Sequence, residues 1–204
     1  TDHLADQSLL KKMFPIDIYS GGKEHTVGHL LYARFIHKFL YDQGYVSTPE
    51  PIKKLIHQGM VLGTDGRKMG KRYNNWVDPL EVIKEFSADA LRTYLMFMGP
   101  VEQDKPWNDN ALKWVAKFLT RFEHLASEEF LVAQDNETTQ KLDSLLHQTI
   151  KWVSYDLEHL KLNTVVSKLM IFVNASYENG QISTGQLAIL TQLIAPLAPD
   201  LADR

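Results

Sequence analysis

From residue 109 to the end, apolar positions recur at intervals of three and four in successive stretches separated by polar linkers. Leu112, Val115, Leu119, Phe122 and Leu125 mark the first. Leu142, Leu145, Leu146, Ile150, Val153, Leu157 and Leu160 mark the second. Val165, Val166, Leu169, Met170 and Val173, ending near Gly180, mark the third. Leu187, Leu190, Leu193, Ile194 and Leu197 mark the last, which Pro196 and Pro199 cross. The spacing predicts four amphipathic helices packed as a bundle, with no strand inside residues 109–175.

The first hundred residues carry a different pattern. "MFPIDIYS" (13–20) predicts a short buried strand with a proline near its entrance. After Gly21-Gly22 a helix is expected from Glu24, with Val27, Leu30, Leu31, Phe35, Phe39 and Leu40 on one face and Gly44 as its C-cap. "LIHQGMVL" (55–62) is the next strand, so the opening segment reads as a parallel crossover unit of α/β type. Asp78 and Glu81 form a capping pair around Pro79. Ser87 caps a further helix that runs to Met98 and stops at Gly99-Pro100. The expected fold class is α/β plus all-α, with the boundary in the Gly-, Pro- and charge-rich stretch from Pro100 to Trp107.

Composition narrows the function. The chain has 204 residues, 44% hydrophobic and 23% charged, with no apolar run of membrane-spanning length. Without cysteine there is no disulfide, thiolate metal site or cysteine nucleophile, which fits a reducing compartment. A net charge of -3 does not mark a nucleic-acid binder, so any polyanion has to be held by a local patch. The Thr1-Asp2-His3 start, without an initiator methionine, reads as a piece of something longer.

The densest cationic patch is "LGTDGRKMGKRYNNWVDP" (62–79). Lys68 and Lys71 are three apart, flanked by Arg67 and Arg72, with Gly66 and Gly70 supplying flexibility. Such a loop can close over a triphosphate and follow the charge that develops as pyrophosphate leaves, or it can be a solvated basic turn. Lys113, Lys117 and Arg121, on a later helix, read as solvated. In "YSGGKEHTVGH" (19–29), Gly21 and Gly22 lie between a strand end and a helix N-terminus, where backbone N–H groups favour an anion. Glu24 could accept hydrogen bonds from a ribose, with His25 beside it and His29 a turn on; a tight turn with an acid at the helix dipole accounts for the same residues. These histidines lack a third partner at metal-ligand spacing, so no metal site is expected. His57 is open to two readings, a core histidine or a crevice group. Gly59, between Gln58 and Met60, either lets a flat ring lie on the backbone or marks a bulge.

In chain order, "DIYSGGKEHTVGHLLYARFIHKFLYDQG", "HQGMVL", "DGRKMGKRYNNWVDP" and "ADALRTYLMFMGP" resemble segments of leucyl-tRNA synthetases, which are class I aminoacyl-tRNA synthetases. "RKMGKR" resembles their KMSKS loop, and "LIAPLAPDLADR" is similar to a helix of their anticodon-binding bundle. The resemblance implies a partial Rossmann-like half-domain with the lysine loop (1–76), a stem-contact-like connector (77–107) and an anticodon-binding-type bundle (108–204). It also implies a cytoplasmic, monomeric enzyme that activates leucine with ATP, Mg2+ accompanying the ATP, and charges tRNA(Leu). Gly21, Gly22, Glu24 and His25 then match the adenosine and ribose side of the adenylate pocket, with His29 near it. Gln58, Gly59, Met60 and Val61 match the segment along the adenine, and Lys68 and Lys71 the phosphate lysines. Both KMSKS serines are replaced, by Gly70 and Arg72. No HIGH sequence occurs, so the chain alone is expected to be an inactive part of the catalytic domain plus bundle. A non-catalytic tRNA-binding or regulatory paralogue, or a synthetase for methionine, valine or isoleucine, are the alternatives.

Overall fold

A computed structural model describes residues 6–204, so the Thr1-Asp2-His3 start lies outside the described residues. The chain forms two compact units: the residues up to Met60 together with Glu102–Asp104, and Val61–Val101 together with Lys105–Arg204.

The first unit opens with α1 (Gln7–Met13), capped by the Asp6 carboxylate, which accepts the Ser8 and Leu9 amides. Its 7 residues are too few to establish a period, and the pattern does not announce it. Strand β1 (Ile16–Gly22) leads through a 3₁₀ turn (Lys23–His25) and a wide i→i+5 turn (Thr26–Leu30) into α2 (Leu31–Asp42). Strand β2 (Ile52–Gln58) then pairs with β1 in parallel, Ile16 opposite Ile52 and Gly22 opposite Gln58. The expected strand–helix–strand crossover is therefore present. Its helix ends as expected at Gly44, at φ 76°, where the Gly44 amide bonds the Tyr41 carbonyl and that of Tyr45 bonds Leu40. This is a Schellman closure.

Burial departs from expectation. Strand β1 starts at Ile16 rather than Met13, and it is largely exposed rather than buried. The α2 face is apolar as its period requires, yet Leu31, Phe35 and Phe39 stand in the open, Phe35 at 68%, as does Val27 in the wide turn before the helix. Periodicity reports that a face is apolar, not that this unit covers it.

The second unit begins with β3 (Val61–Leu62), followed by α3 (Pro79–Glu85) and α4 (Ala88–Phe97). The Asp78 carboxylate accepts the Leu80 amide at 2.8 Å, with Pro79 in the first turn, and the Ser87 hydroxyl accepts that of Ala90 at 3.0 Å. Short β4 (Lys105–Pro106) returns to pair with β3. The remaining elements are α5 (Asp109–His124), β5 (Leu131–Val132), α6 (Glu137–Gln140), α7 (Asp143–Glu158), α8 (Leu162–Asn179), β6 (Ile182–Ser183), α9 (Thr184–Ile194) and α10 (Pro199–Ala202). The expectation of no strand inside 109–175 is wrong: β5 pairs with β6, Leu131 opposite Ile182. Two residues are too short to leave a sequence period, and the pairing follows from where the helices place the two linkers.

The last helix is likewise two. It stops at Ile194, and Pro199 starts α10 at a first-turn position where its missing N–H costs nothing. Arg121 is not merely solvated. It donates to Asn174 Oδ1 at 2.7 Å and lies over the Tyr177 ring at 4.3 Å.

The core of this unit centres on Leu119, Phe122, Val153, Val166, Phe172 and Leu190. A second cluster gathers Val82, Leu91, Tyr94, Trp107, Leu112 and Val115. Phe172 is 0% exposed, so Phe172→Ala should destabilise the chain by about 3–5 kcal/mol through lost burial and a residual cavity. Urea denaturation checks this, and a loss below about 1 kcal/mol would show that the site collapses around the gap or that the helices are not packed as described.

Candidate functional site

Ser20 to Gly22 are the last rungs of the β1–β2 ladder and run directly into the turn that precedes the helix. Gly22 precedes that turn, and no side chain caps it. Gly21, Gly22, His25, His29, Tyr19 and Leu55 line a hollow of about 60 Å³. That is room for a small polar group rather than a whole ligand. Glu24 does not line it. Its carboxylate folds over Gly22, so a Cβ there would push the flexible end of the Glu24 side chain aside. His25 Nε2 lies 3.8 Å from Glu24 Oε1, while His29 Nε2 turns away to the Tyr19 hydroxyl at 2.5 Å. The three side chains do not converge on one point.

The end of β2 is tied to the same turn. Gln58 Nε2 donates to Ser20 Oγ at 2.9 Å. Gly59 is required by the protein's own backbone: a Cβ there would overlap the Gln103 carbonyl. The Met60 amide donates to Asp104 Oδ1 at 2.9 Å, and Lys23 Nζ lies 3.3 Å from both Asp104 oxygens. These two donors hold the Asp104 carboxyl below the usual carboxylate range, the Met60 amide contributing more. His57 is half-buried, with Nδ1 shielded and lacking a partner among the described residues. Val61 lies in β3 of the second unit, paired with Lys105.

The cationic loop belongs wholly to the second unit. Met69 packs inward against the cluster of Val82, Tyr94 and Trp107, while Lys68 and Lys71 on either side are exposed. Neither lysine has an ion-pair partner among the described residues. Arg67 and Arg72 are engaged with the Tyr73 ring, at 5.2 Å and 4.4 Å from its centre, and Arg67 also pairs with Asp65 at 2.8 Å. The lysines are thus the cations left for a ligand, and with the arginines they line one open hollow.

Asn75 closes the loop. Its Oδ1 accepts the Gly70 amide at 2.9 Å and its Nδ2 donates to Asp65 Oδ1 at 3.0 Å. Gly70 itself is extended, at φ -169°, and a Cβ there would meet only the Tyr73 ring at ordinary contact distance. A serine would fit. Gly63, in contrast, is buried against Asn75 and Asp65. Sequence reasoning missed Asp65, Asn75 and Asp104. Asp65 and Asn75 look like turn residues, and Asp104 acts across 44 positions.

Sequence comparison adds relatives to this geometry. The family model described as tRNA synthetases class I (I, L, M and V) matches residues 3–108. The leucine–tRNA ligase of Leptospira biflexa serovar Patoc is 44% identical over 99% of this chain, which covers 24% of that protein. The leucine–tRNA ligase of Bdellovibrio bacteriovorus is 46% identical over 95% of the chain and 24% of its own length. The chain thus spans about a quarter of the length of the curated relatives it matches. Among solved structures, the ternary complex of Agrobacterium radiobacter K84 agnB2 LeuRS, tRNA and LeuAMS superposes with a TM-score of 0.81 at 33% identity. It covers 97% of this chain and 28% of that one. Methionyl-tRNA synthetase of Mycobacterium tuberculosis with methionyl-adenylate gives 0.71 at 17% identity, over 98% of this chain and 46% of that one, a likeness of fold.

The loop has its own pH signature. The Asp65 carboxyl is held at about 2, against an ordinary 3.8, first by the Asn75 amide and then by the Arg67 backbone N–H and guanidinium. Because the folded value is depressed, these ties are complete above the ordinary value and are lost as pH falls through about 2. An NMR titration of Asp65 should find that low midpoint, and Asn75→Ala should move it up toward 3.8. An unmoved midpoint in the variant would mean that Asn75 does not hold the loop.

Proposed function

This chain belongs to the class I tRNA synthetases of the isoleucine, leucine, methionine and valine group, and from that membership we propose that it works as part of a leucine–tRNA ligase. Leucine attacks the α-phosphate of ATP, pyrophosphate leaves, and the leucyl group passes from the adenylate to the terminal ribose of tRNA(Leu). Mg2+ enters with ATP as part of the substrate, and the enzyme acts as a cytoplasmic monomer. Leucine is preferred because the ligases named for it are 44% and 46% identical to this chain, against 17% for the methionyl enzyme.

One observation carries the reading. Met69, partly buried between Lys68 and Lys71, packs against the Val82–Tyr94–Trp107 cluster, and both lysines are exposed without a carboxylate partner among the described residues. Charges held in that way cost little reorganisation when negative charge grows on a departing pyrophosphate. Glu24 takes the ribose hydroxyls, Gly21 and Gly22 admit the nucleotide to the backbone, and His25 and His29 flank it. Gln58, Gly59, Met60 and Val61 run along the base. The 204 residues contain no HIGH sequence, so in this reading they need the rest of the ligase for activity.

Kinetics of Lys71→Ala in the full-length ligase test the role of the loop. A lysine that acts mainly on developing charge should, when removed, lower kcat for leucine-dependent ATP–pyrophosphate exchange by about 10²–10³ and change ATP affinity far less. Equal losses in affinity and rate would mean simple attraction for ATP. Gly70→Ser should leave the rate similar or improve it, because the added Cβ has room.

A further inference from the structure

The β1–β2 ladder ends with Gly22 opposite Gln58. Beyond that pair no backbone hydrogen bond joins Lys23 to Gly59 or Met60 among the described residues. Yet these are the two margins that the proposed nucleotide would touch. The tie continues through a carboxylate from a distant part of the chain. Glu102–Asp104 cluster with the first unit although both flanks of this segment belong to the second. Gln103 presses its carbonyl onto Gly59, and Asp104 takes the Met60 amide on one oxygen while both oxygens face Lys23 Nζ.

We propose that Asp104 is a positioning residue for the nucleotide, clamping the Gln58–Met60 strand end to the Gly22–Lys23 turn so that the two margins keep their spacing. The proposal rests on the reading of this cleft as the adenosine side of the ATP site.

The chemistry of the clamp explains why a carboxylate serves here. Its two oxygens can meet a backbone N–H and an ammonium at once, and each bond favours the anion. An alanine would free Met60, which then has no ladder partner, and would leave the Lys23 ammonium near the turn without its counter-charge. An asparagine keeps an oxygen for the Met60 amide and loses the charge toward Lys23. Lys23→Met does the reverse, removing the ion pair and sparing the Met60 bond. The pair itself is exposed, with side chains 55% and 36% accessible, so its attraction is screened. The backbone bond is expected to matter more.

The test is ATP–pyrophosphate exchange by the full-length ligase carrying Asp104→Ala, Asp104→Asn, Lys23→Met or Glu24→Ala, with ATP and leucine varied separately. Asp104→Ala should raise the ATP KM roughly tenfold, the equivalent of one charged hydrogen bond, with the leucine KM unchanged. Asp104→Asn should recover most of that loss, and Lys23→Met should raise the ATP KM less than Asp104→Ala. If Asp104→Ala does not fold, the order of the asparagine and methionine variants decides: a larger ATP effect in Lys23→Met than in Asp104→Asn overturns the clamp. So does an Asp104→Ala enzyme with unchanged ATP KM while Glu24→Ala raises it, a result that leaves the adenosine reading intact. If neither Asp104→Ala nor Glu24→Ala changes the ATP KM, the adenosine reading fails and the clamp with it. Equal rises in both KM values with no rescue by asparagine would mean general support of the fold, and would also overturn the proposal.

Discussion

Between two lysines that have to reach solvent stands a methionine that has to avoid it. Met69 packs with Val61 and Val77 against Tyr94 and Trp107, and that contact sets which way the neighbouring side chains face. A loop with three glycines close together would otherwise sample many conformations, and ordering it would cost entropy each time a ligand arrives. Part of that cost is already met by folding. The Asn75 amide joins Asp65 to Gly70, and the Leu62–Lys68 bridge pins the entrance. The arginines stack on Tyr73, which leaves Lys68 and Lys71 as the loop's unengaged cations, in the proposed reading for the phosphates. The replacement of both KMSKS serines therefore removes hydroxyls without removing the frame that aims the lysines.

The same economy is visible in the first unit, where the residues near the proposed nucleotide do little to hold one another. Glu24 lies over Gly22, His29 is occupied by Tyr19, and Gln58 reaches Ser20. Beyond the Gln58–Ser20 bond, the two margins meet at Asp104, whose carboxylate takes the Met60 amide and faces Lys23. In the proposed reading, contact with the ligand and support of its walls fall to different side chains.

How much of this could be read from the sequence depends on the range of each interaction. The crossover unit, the caps at Asp78 and Ser87, the Gly44 closure and the helices α5, α7 and α8 were legible because each is written within one or two turns of chain, whereas the last predicted helix divides into α9 and α10. The glycines of the strand–helix turn and the paired lysines were legible for the same reason. The β5–β6 pair was not, since two-residue strands carry no period and their pairing waits on helix packing. Exposure of the α2 face was not either, because an apolar stripe names no partner. Asp104 and Asn75 escaped notice for a related cause. Their importance lies in partners that only the folded backbone brings near. Gly59 was legible as a special position, but the atom that forbids its side chain belongs to Gln103.

In the proposed reading the loop aims Lys68 and Lys71 at the phosphates of ATP. Lysine acylation in the full-length ligase, read by mass spectrometry with and without ATP, tests this most directly, with Lys113 and Lys117 as internal references. ATP should protect Lys68 and Lys71 several-fold and leave Lys113 and Lys117 as reactive as before. Unchanged reactivity at Lys68 and Lys71 under saturating ATP, or equal protection of all four lysines, would contradict it.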